Sequence, residues 1–505
     1  MDFDVLKDLV QTITRNKIKS IEVLGNPGEE KSRVEVMYDG ISSGKFKSED
    51  DVAKFFFKSD AKDPNYRKLK NKLIRQLVNT AFFIDVNQPA FNERAKAYFT
   101  AYRDFAAAVL FMTRGAKKSG VHLLQLTLEQ ATKFEFTDLS ADVCRMLRRE
   151  FARSGGDFEK NQYFTNLHRK YEEKRRYDML ALDYHETLIS YYLTKRSPNI
   201  DIHKLATAYY DELFPLLEVV DTSAFYNYTY TIGIIKYSSI NDLEHAIELC
   251  DKALDVLTPR KNTNRSTLAN FVLQKMGFYT QMRIKSSQIV KDLLDECLSI
   301  FEEGQFSWFR SYEVFFYNCM YTQNYEEALL VYKKVTQSSN FSLLDGSHHD
   351  NWLLLGGYLH LLARLGALDQ SKVESVVGTF RFGKFFNEIE VLDKDKEGMN
   401  IPLVLLPILF HLAQKTFDDQ KDISIDALEK YRQRWLANDM NRRSDSFLKM
   451  LIAYAKKDYS TSAAEKKINK ELEVLKNETP EVAGQNFAVE IIPYEALWEL
   501  LNNKK

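Results

Sequence analysis

Four short clusters in this 505-residue chain carry side chains that could do chemistry. Gly40-Ile-Ser-Ser-Gly44-Lys45 has the glycines and lysine of a phosphate-binding loop. The spacing is one residue short, however, and Phe46 stands where a Ser or Thr hydroxyl would hold the metal of a nucleotide. The two glycines are read instead as a turn. Ser347-His-His-Asp350 places two imidazoles and a carboxylate ahead of Trp352. Adjacent histidines point in different directions and no further ligand at metal spacing accompanies them, so Ser347 or Asp350 is expected to cap a helix beside solvated histidines. Asp183-Tyr-His185-Glu186 lacks the second histidine of an H-E-x-x-H site and reads as part of a buried or groove-facing helix. The cysteines, Cys144, Cys250, Cys297 and Cys319, include no C-x-x-C, which argues against a zinc site or a disulfide framework. Three of them sit in apolar helical patterns, where a thiol acts as a small buried hydrophobe. A reducing compartment is expected, with no catalytic residue, metal or cofactor assigned.

A stronger signal is electrostatic. Lys and Arg number 70 against 71 Asp and Glu, yet residues 61 to 180 hold 23 basic and 14 acidic residues, which leaves 47 against 57 elsewhere. Three basic clusters account for the excess: Arg67 to Arg75, Arg145 to Arg153, and Arg169 to Arg176. Arg145, Arg148, Arg149 and Arg153 have i, i+3, i+4, i+8 spacing, which puts all four on one stripe of a helix. Such a stripe can neutralise phosphates, meet an acidic partner, or pair with the chain's own acids, the last being its ordinary fate.

The elements that must position these groups are helices. Gly (19) and Pro (10) together make up about 6% of the chain, roughly half of average usage, which excludes an all-β fold with frequent turns. The expected class is predominantly all-α, a helical-hairpin repeat or solenoid with a small N-terminal α+β appendage. Residues 1 to 60 form that appendage: Lys19–Leu24 and Arg33–Tyr38 alternate about Gly25-Asn-Pro-Gly28, the pattern of a β-hairpin, and Ser48-Glu-Asp-Asp51 opens a helix to Phe57. Residues 61 to 215 are a basic helical region with breaks at Asn87–Pro89, Gly115–Gly120, Ser154–Gly156 and Ser197–Pro198. Residues 216 to 385 are repetitive. Residues 386 to 505 form a C-terminal helical region, with a proline-broken apolar run Ile401–Ala413, an extended Asn486–Pro493 and a last helix Tyr494–Leu501.

Within 216 to 385, Asn241–Pro259 and Asn324–Val335 share a small residue, a residue four later and another three after that: Ala246, Cys250, Ala253 and Ala328, Tyr332, Val335. Both segments resemble the second helix of a tetratricopeptide repeat (TPR), and each follows an aromatic-rich helix, around Tyr230–Tyr237 and Tyr312–Met320. Ile234 and Phe316 stand where the family has glycine. Ala246 and Ala328 lie 82 residues apart, room for one further pair, supplied by Phe271–Met282 and Gln288–Phe301. The resemblance implies a concave face lined by first helices, with groove positions at Tyr228, Thr231, Ile235 and Ser238 in one copy and Arg310, Glu313, Tyr317 and Met320 in the other.

The expected function is therefore a non-enzymatic scaffold or adaptor that binds a peptide or partner helix on the repeat surface. The alternative is a nucleic-acid-associated regulator using the basic helices of 61 to 180. The longest near-apolar run, Ile401–Ala413, is too short to cross a membrane, and the acidic start MDFDVLKDLVQ is unlike a secretory signal. No membrane partner and a cytoplasmic location are expected; the sequence leaves the oligomeric state open.

Overall fold

Ser32 and Glu35 set the first described helix. The Ser32 hydroxyl accepts from the Glu35 amide and the Glu35 carboxylate accepts from the Ser32 amide, a capping box that starts α1 (Arg33–Ser42). Val34, Met37, Tyr38 and Ile41 then fall at i, i+3, i+4 and i+7 and are all buried. The expected strand Arg33–Tyr38 is thus corrected to a helix, because its short alternation sits inside a longer helical period that the cap selects. The partner strand Lys19–Leu24 and the turn Gly25–Gly28 lie outside the described residues. Gly40, expected in a turn, is within α1 against the Phe46 ring, and Gly44 follows the helix at φ +73°. Ser48 opens α2 (Glu49–Phe57) through a second capping box with Asp51, and Asp63 caps α3 (Pro64–Ala81). Both α1 and α2 pack on α3 around Met37, Val52, Tyr66 and Leu73.

The computed structural model describes residues 31–82, 84, 93–153, 155–194, 199–260, 263–283, 287–344, 346–381, 385, 400–414, 425–436, 442–457, 460–478 and 489–503, with Phe3, Leu6 and Val10. They form two units, Met1–Arg176 and Tyr177–Lys505, and include no strand.

The first unit continues with α4 (Glu93–Thr113), which packs on α5 (Lys117–Lys133) through Ala97, Ala101 and Ala108. Next come α6 (Thr137–Phe151) and α7 (Phe158–Thr194), a 37-residue helix that continues into the second unit. Of the expected breaks, Gly115 lies between α4 and α5 but Gly120 is inside α5, Gly155 and Gly156 lie between α6 and α7, and Asn87–Pro89, Ser154 and Ser197–Pro198 are outside the described residues.

The second unit is a chain of sequential neighbours: α8 (Asn199–Leu213), α9 (Ser223–Ser238), α10 (Leu243–Leu257), α11 (Arg265–Gln281), α12 (Ser287–Leu298), α13 (Phe306–Tyr321), α14 (Tyr325–Thr336), α15 (Gly346–Arg364) and α16 (Gln370–Val377), each packed on the next. This is the all-α, repeat-like arrangement anticipated, and α11 with α12 fill the gap between the two similar pairs. Close approach has identifiable causes. A Cβ on Gly233 would lie 2.5 Å from the Tyr210 ring and 2.8 Å from Leu249 Cδ1, so α9 reaches both α8 and α10 only because residue 233 is glycine. The small residue at this crossing is therefore the neighbour of Ile234. Ala246, Cys250, Ala253, Ala328 and Val335 are all fully buried on the second helices.

Apolar burial also explains α17 (Asn400–Gln414), which packs on α15 and continues through Pro407. The expected break does not occur: Ile401, Leu403, Leu405, Leu406, Ile408 and Leu409 are buried and outweigh the one hydrogen bond that proline removes. The remaining helices are α18 (Ile425–Tyr431), α19 (Arg442–Ala455), α20 (Thr461–Asn477) and α21 (Tyr494–Asn503).

One buried ion cluster holds the C-terminal segment in place. Arg443 of α19 donates from Nε and Nη2 to Glu490, from Nη2 to Glu495 (2.9 Å), and from Nη1 to the carbonyls of Leu475 and Glu478. All five guanidinium N–H groups thus have acceptors. Arg283, just past α11, donates to the same Glu490 carboxylate at 2.7 Å and lies over the Tyr321 ring. Burial alone would raise the Glu490 carboxyl, but the two arginines hold it below its ordinary value. Because the folded value is depressed, this contribution to stability is present above the ordinary carboxylate range and is lost as pH falls through the folded value.

Two outcomes are expected in urea unfolding near neutral pH. Arg443→Met leaves Glu490 buried with one partner fewer and should destabilise the second unit by about 3 kcal/mol, with faster hydrogen exchange in 489–503. Gly233→Ala forces α9 off α8 and α10 and should cost about 1–3 kcal/mol. A change under about 0.5 kcal/mol in either variant would show that the corresponding contact does not hold the fold.

Candidate interaction surfaces

The two expected groove sets have different fates. On α9, Tyr228, Thr231, Ile235 and Ser238 are all half-buried, along one face. The Tyr228 ring packs 5.3 Å from the His185 ring of α7, and burial raises its phenol above the ordinary value. Thr231 and Ser238 bond back to the carbonyls of Asn227 and Ile235, so their hydroxyls are satisfied within the helix. His185 is largely buried, which lowers its imidazole. A solvent-accessible, mixed aromatic and polar strip remains, with hydroxyl lone pairs and aliphatic surface but no charge.

On α13 the groove reading is corrected. Glu313, Tyr317 and Met320 are buried and only Arg310 is partly exposed. The α15 helix covers them: Glu313 accepts from Arg310 Nη1 at 2.6 Å and from Asn351 Nδ2 at 3.0 Å, and lies 3.3 Å from His348 Nδ1. The Tyr317 hydroxyl donates to Asn351 Oδ1 at 3.1 Å. This is a satisfied polar network between first helices. A charged residue at a helix–helix crossing is indistinguishable in sequence from one lining a groove until its covering helix is known. The histidines also change role, since α15 begins at Gly346: His348 and His349 are in its first turn, against Phe306 and Phe341, and are not solvated loop residues. Asn351 was not anticipated; its signal was a polar residue placed among the apolar positions that follow it.

The basic stripe is corrected as well. Arg145, Arg148 and Arg149 are on α6, but Arg153 lies beyond its end at Phe151. Arg145 pairs with Asp142 at 3.0 Å and Arg153 with Glu150 at 2.8 Å, and Glu150 also takes Lys117 at 3.5 Å. Among the described residues no carboxylate lies within ion-pair distance of Arg148 or Arg149. The stripe is half of a seam, because α7 runs antiparallel beside α6. Arg175 meets Asp138 at 3.1 Å, Asn161 donates to the Arg148 carbonyl at 2.7 Å, and Phe151 stacks on Phe164. Between these contacts sits His168, whose imidazole is lowered by burial and by the positive field of Arg148 and Arg145.

All four cysteines are buried free thiols, each pushed up to about 12 by burial, far from the thiolate that nucleophilic chemistry needs. No group of three His, Cys, Asp or Glu side chains able to hold a metal occurs among the described residues, and no helix among them is long and apolar enough to cross a membrane. Comparison of the chain with protein-family models, curated proteins and solved structures returned no match.

The covered network makes a distinguishing prediction. Glu313→Ala strips Arg310 and Asn351 of a shared acceptor and should lower stability by about 2–4 kcal/mol in chemical unfolding. A variant as stable as the parent would mean that α15 does not close over this face.

Proposed function

We propose that this protein is a non-enzymatic scaffold that binds a peptide or partner helix along the accessible face of α9. The observation that carries the reading is the contrast between the two first helices. On α13, Glu313, Tyr317 and Met320 are buried under α15, whereas Tyr228, Thr231, Ile235 and Ser238 on α9 all stay partly exposed on a helix seated closely on its neighbours at Gly233. Aromatic and aliphatic surface with hydroxyls at its edge suits a ligand that buries apolar side chains and leaves its backbone partly solvated.

The pairing of α9 with α10 and of α13 with α14, with small residues at the crossings, supports a degenerate TPR-like ancestry for the array. The four buried reduced thiols support a cytoplasmic location.

A photo-crosslinking amino acid at Thr231 identifies the ligand, and Ile235→Asp then tests it by calorimetry against the identified peptide. Affinity should fall by about tenfold or more, as expected for a charge placed in a buried apolar contact. Arg310→Ala should leave affinity within about twofold, because its neighbours are already covered. Crosslinks no more frequent than from an exposed position on α20, or an Ile235→Asp variant that binds normally, would reject the α9 face.

A further inference from the structure

The seam between α6 and α7 gathers cations that the sequence keeps apart. On α7, Phe158, Gln162, Thr165, Arg169 and Arg176 recur at i, i+4, i+7, i+11 and i+18, one face of the helix beside the line of contacts with α6. On α6, Arg145 and Arg149 lie one turn apart on the exposed face, and Arg148 beside them is half-buried toward α7. The cations on this side are arginines. The lysines of α7's first half, Lys160, Lys170 and Lys174, fall on another side of the helix.

That segregation is chemically informative. A guanidinium presents a planar fork that matches an anionic oxygen pair, whereas an ammonium is a point charge that stays hydrated. Of the local carboxylates, Asp142 is engaged by Arg145, and Asp138 and Glu172 by Arg175, while the exposed Glu173 stands one turn beyond Arg169 without an ion pair among the described residues. Among the described residues none lies within ion-pair distance of Arg148, Arg149 or Arg169. His168 Nε2 is buried without a hydrogen-bond partner; burial and then Arg148 and Arg145 lower its imidazole, against the opposing pull of Glu172 and Asp142.

At the end of the same face, Phe158 is 76% exposed, an apolar ring with nothing over it. Its chain neighbours, Asp157 and Glu159, argue against insertion into an anionic lipid surface, because two carboxylates would enter with the ring. Cations in a row beside an open aromatic face are what a flexible polyanion with stackable bases requires. A double helix would need an element projecting into a groove, and both helices here lie side by side.

We propose that the α6–α7 seam binds single-stranded nucleic acid, with Arg148, Arg149 and Arg169 on backbone phosphates and Phe158 stacked on a base. The surface is independent of the α9 face in the second unit, so either reading can fail alone.

The test uses the full chain and fluorescence anisotropy with labelled oligo-uridine and oligo-thymidine of about 15 nucleotides. Binding should be measurable at about 20 mM salt and weaken with a log–log slope of about −2, as for three phosphate contacts on a single strand. The charge reversal Arg149→Glu with Arg169→Glu should weaken binding by about tenfold or more, and Phe158→Ala by about fivefold or more. Lys170→Glu with Lys174→Glu carries the same charge change on another side of α7 and should have less than about a third of that effect. Thermal melts by circular dichroism confirm that each variant is folded. The proposal is overturned if no oligonucleotide binds at low salt, or if the lysine variant loses as much as the arginine variant. Tighter binding of a duplex of the same length, of polyglutamate, or of phosphatidylserine vesicles would also overturn it.

Discussion

Arg443 sets the constraint that fixes the C-terminal segment on the second unit. Its neighbours along the array are local, each helix lying against the one before it, and such stacks need no contact between distant parts of the chain. The Arg443 cluster supplies that distant contact. It brings together the end of α11, the carbonyl end of α20, the segment before α21 and α21 itself, across 207 residues of sequence between Arg283 and Glu490. A buried arginine is tolerable only when every N–H finds an acceptor, and here each does, through two carboxylates and two carbonyls. The geometry that satisfies Arg443 therefore specifies where the C-terminal segment must lie. Val489, Ile491 and Ile492 can then be buried around it.

The same logic separates the two groove-like faces. Polar groups on α13 are satisfied from within, by Asn351 and His348 arriving on α15, so that face is committed to structure. On α9 the hydroxyls of Thr231 and Ser238 are satisfied by their own helix, and Tyr228 and Ile235, packed on the core by one side, keep part of their surface in solvent. A surface can be offered to a partner when its fixed polar groups need nothing from outside and its apolar area still does. On the α6–α7 seam the case is electrostatic: among the described residues no carboxylate lies within ion-pair distance of Arg148, Arg149 or Arg169.

Much of this was legible in the chain, for reasons that can be named. The capping signal at Ser48 is short-range, and its helix begins where it predicts. The small residues Ala246, Cys250 and Ala253 marked a close crossing because packing tolerates little else there. Arg33–Tyr38 reads as a strand because a six-residue window holds both an alternating and a helical pattern, and only the longer register, Val34 to Ile41, separates them. Pro407 was misread because a proline's local cost is visible in sequence while the burial that offsets it is not. Arg153 was assigned to a helix by spacing, although the chain leaves the helix at Phe151, two residues earlier.

The sequence by itself determined the helical class and the small residues at crossings, since these follow from backbone conformation, capping and side-chain volume within a turn or two. Tertiary structure alone decided which polar residues are covered and which are open. Glu313 and Arg149 are both charged residues on amphipathic helices. One is sealed because α15 crosses it with a matched amide, and the other is open because no carboxylate on α6 or α7 reaches it. Burial and charge balance are properties of neighbours brought together from distant positions, and spacing within one helix carries no record of them.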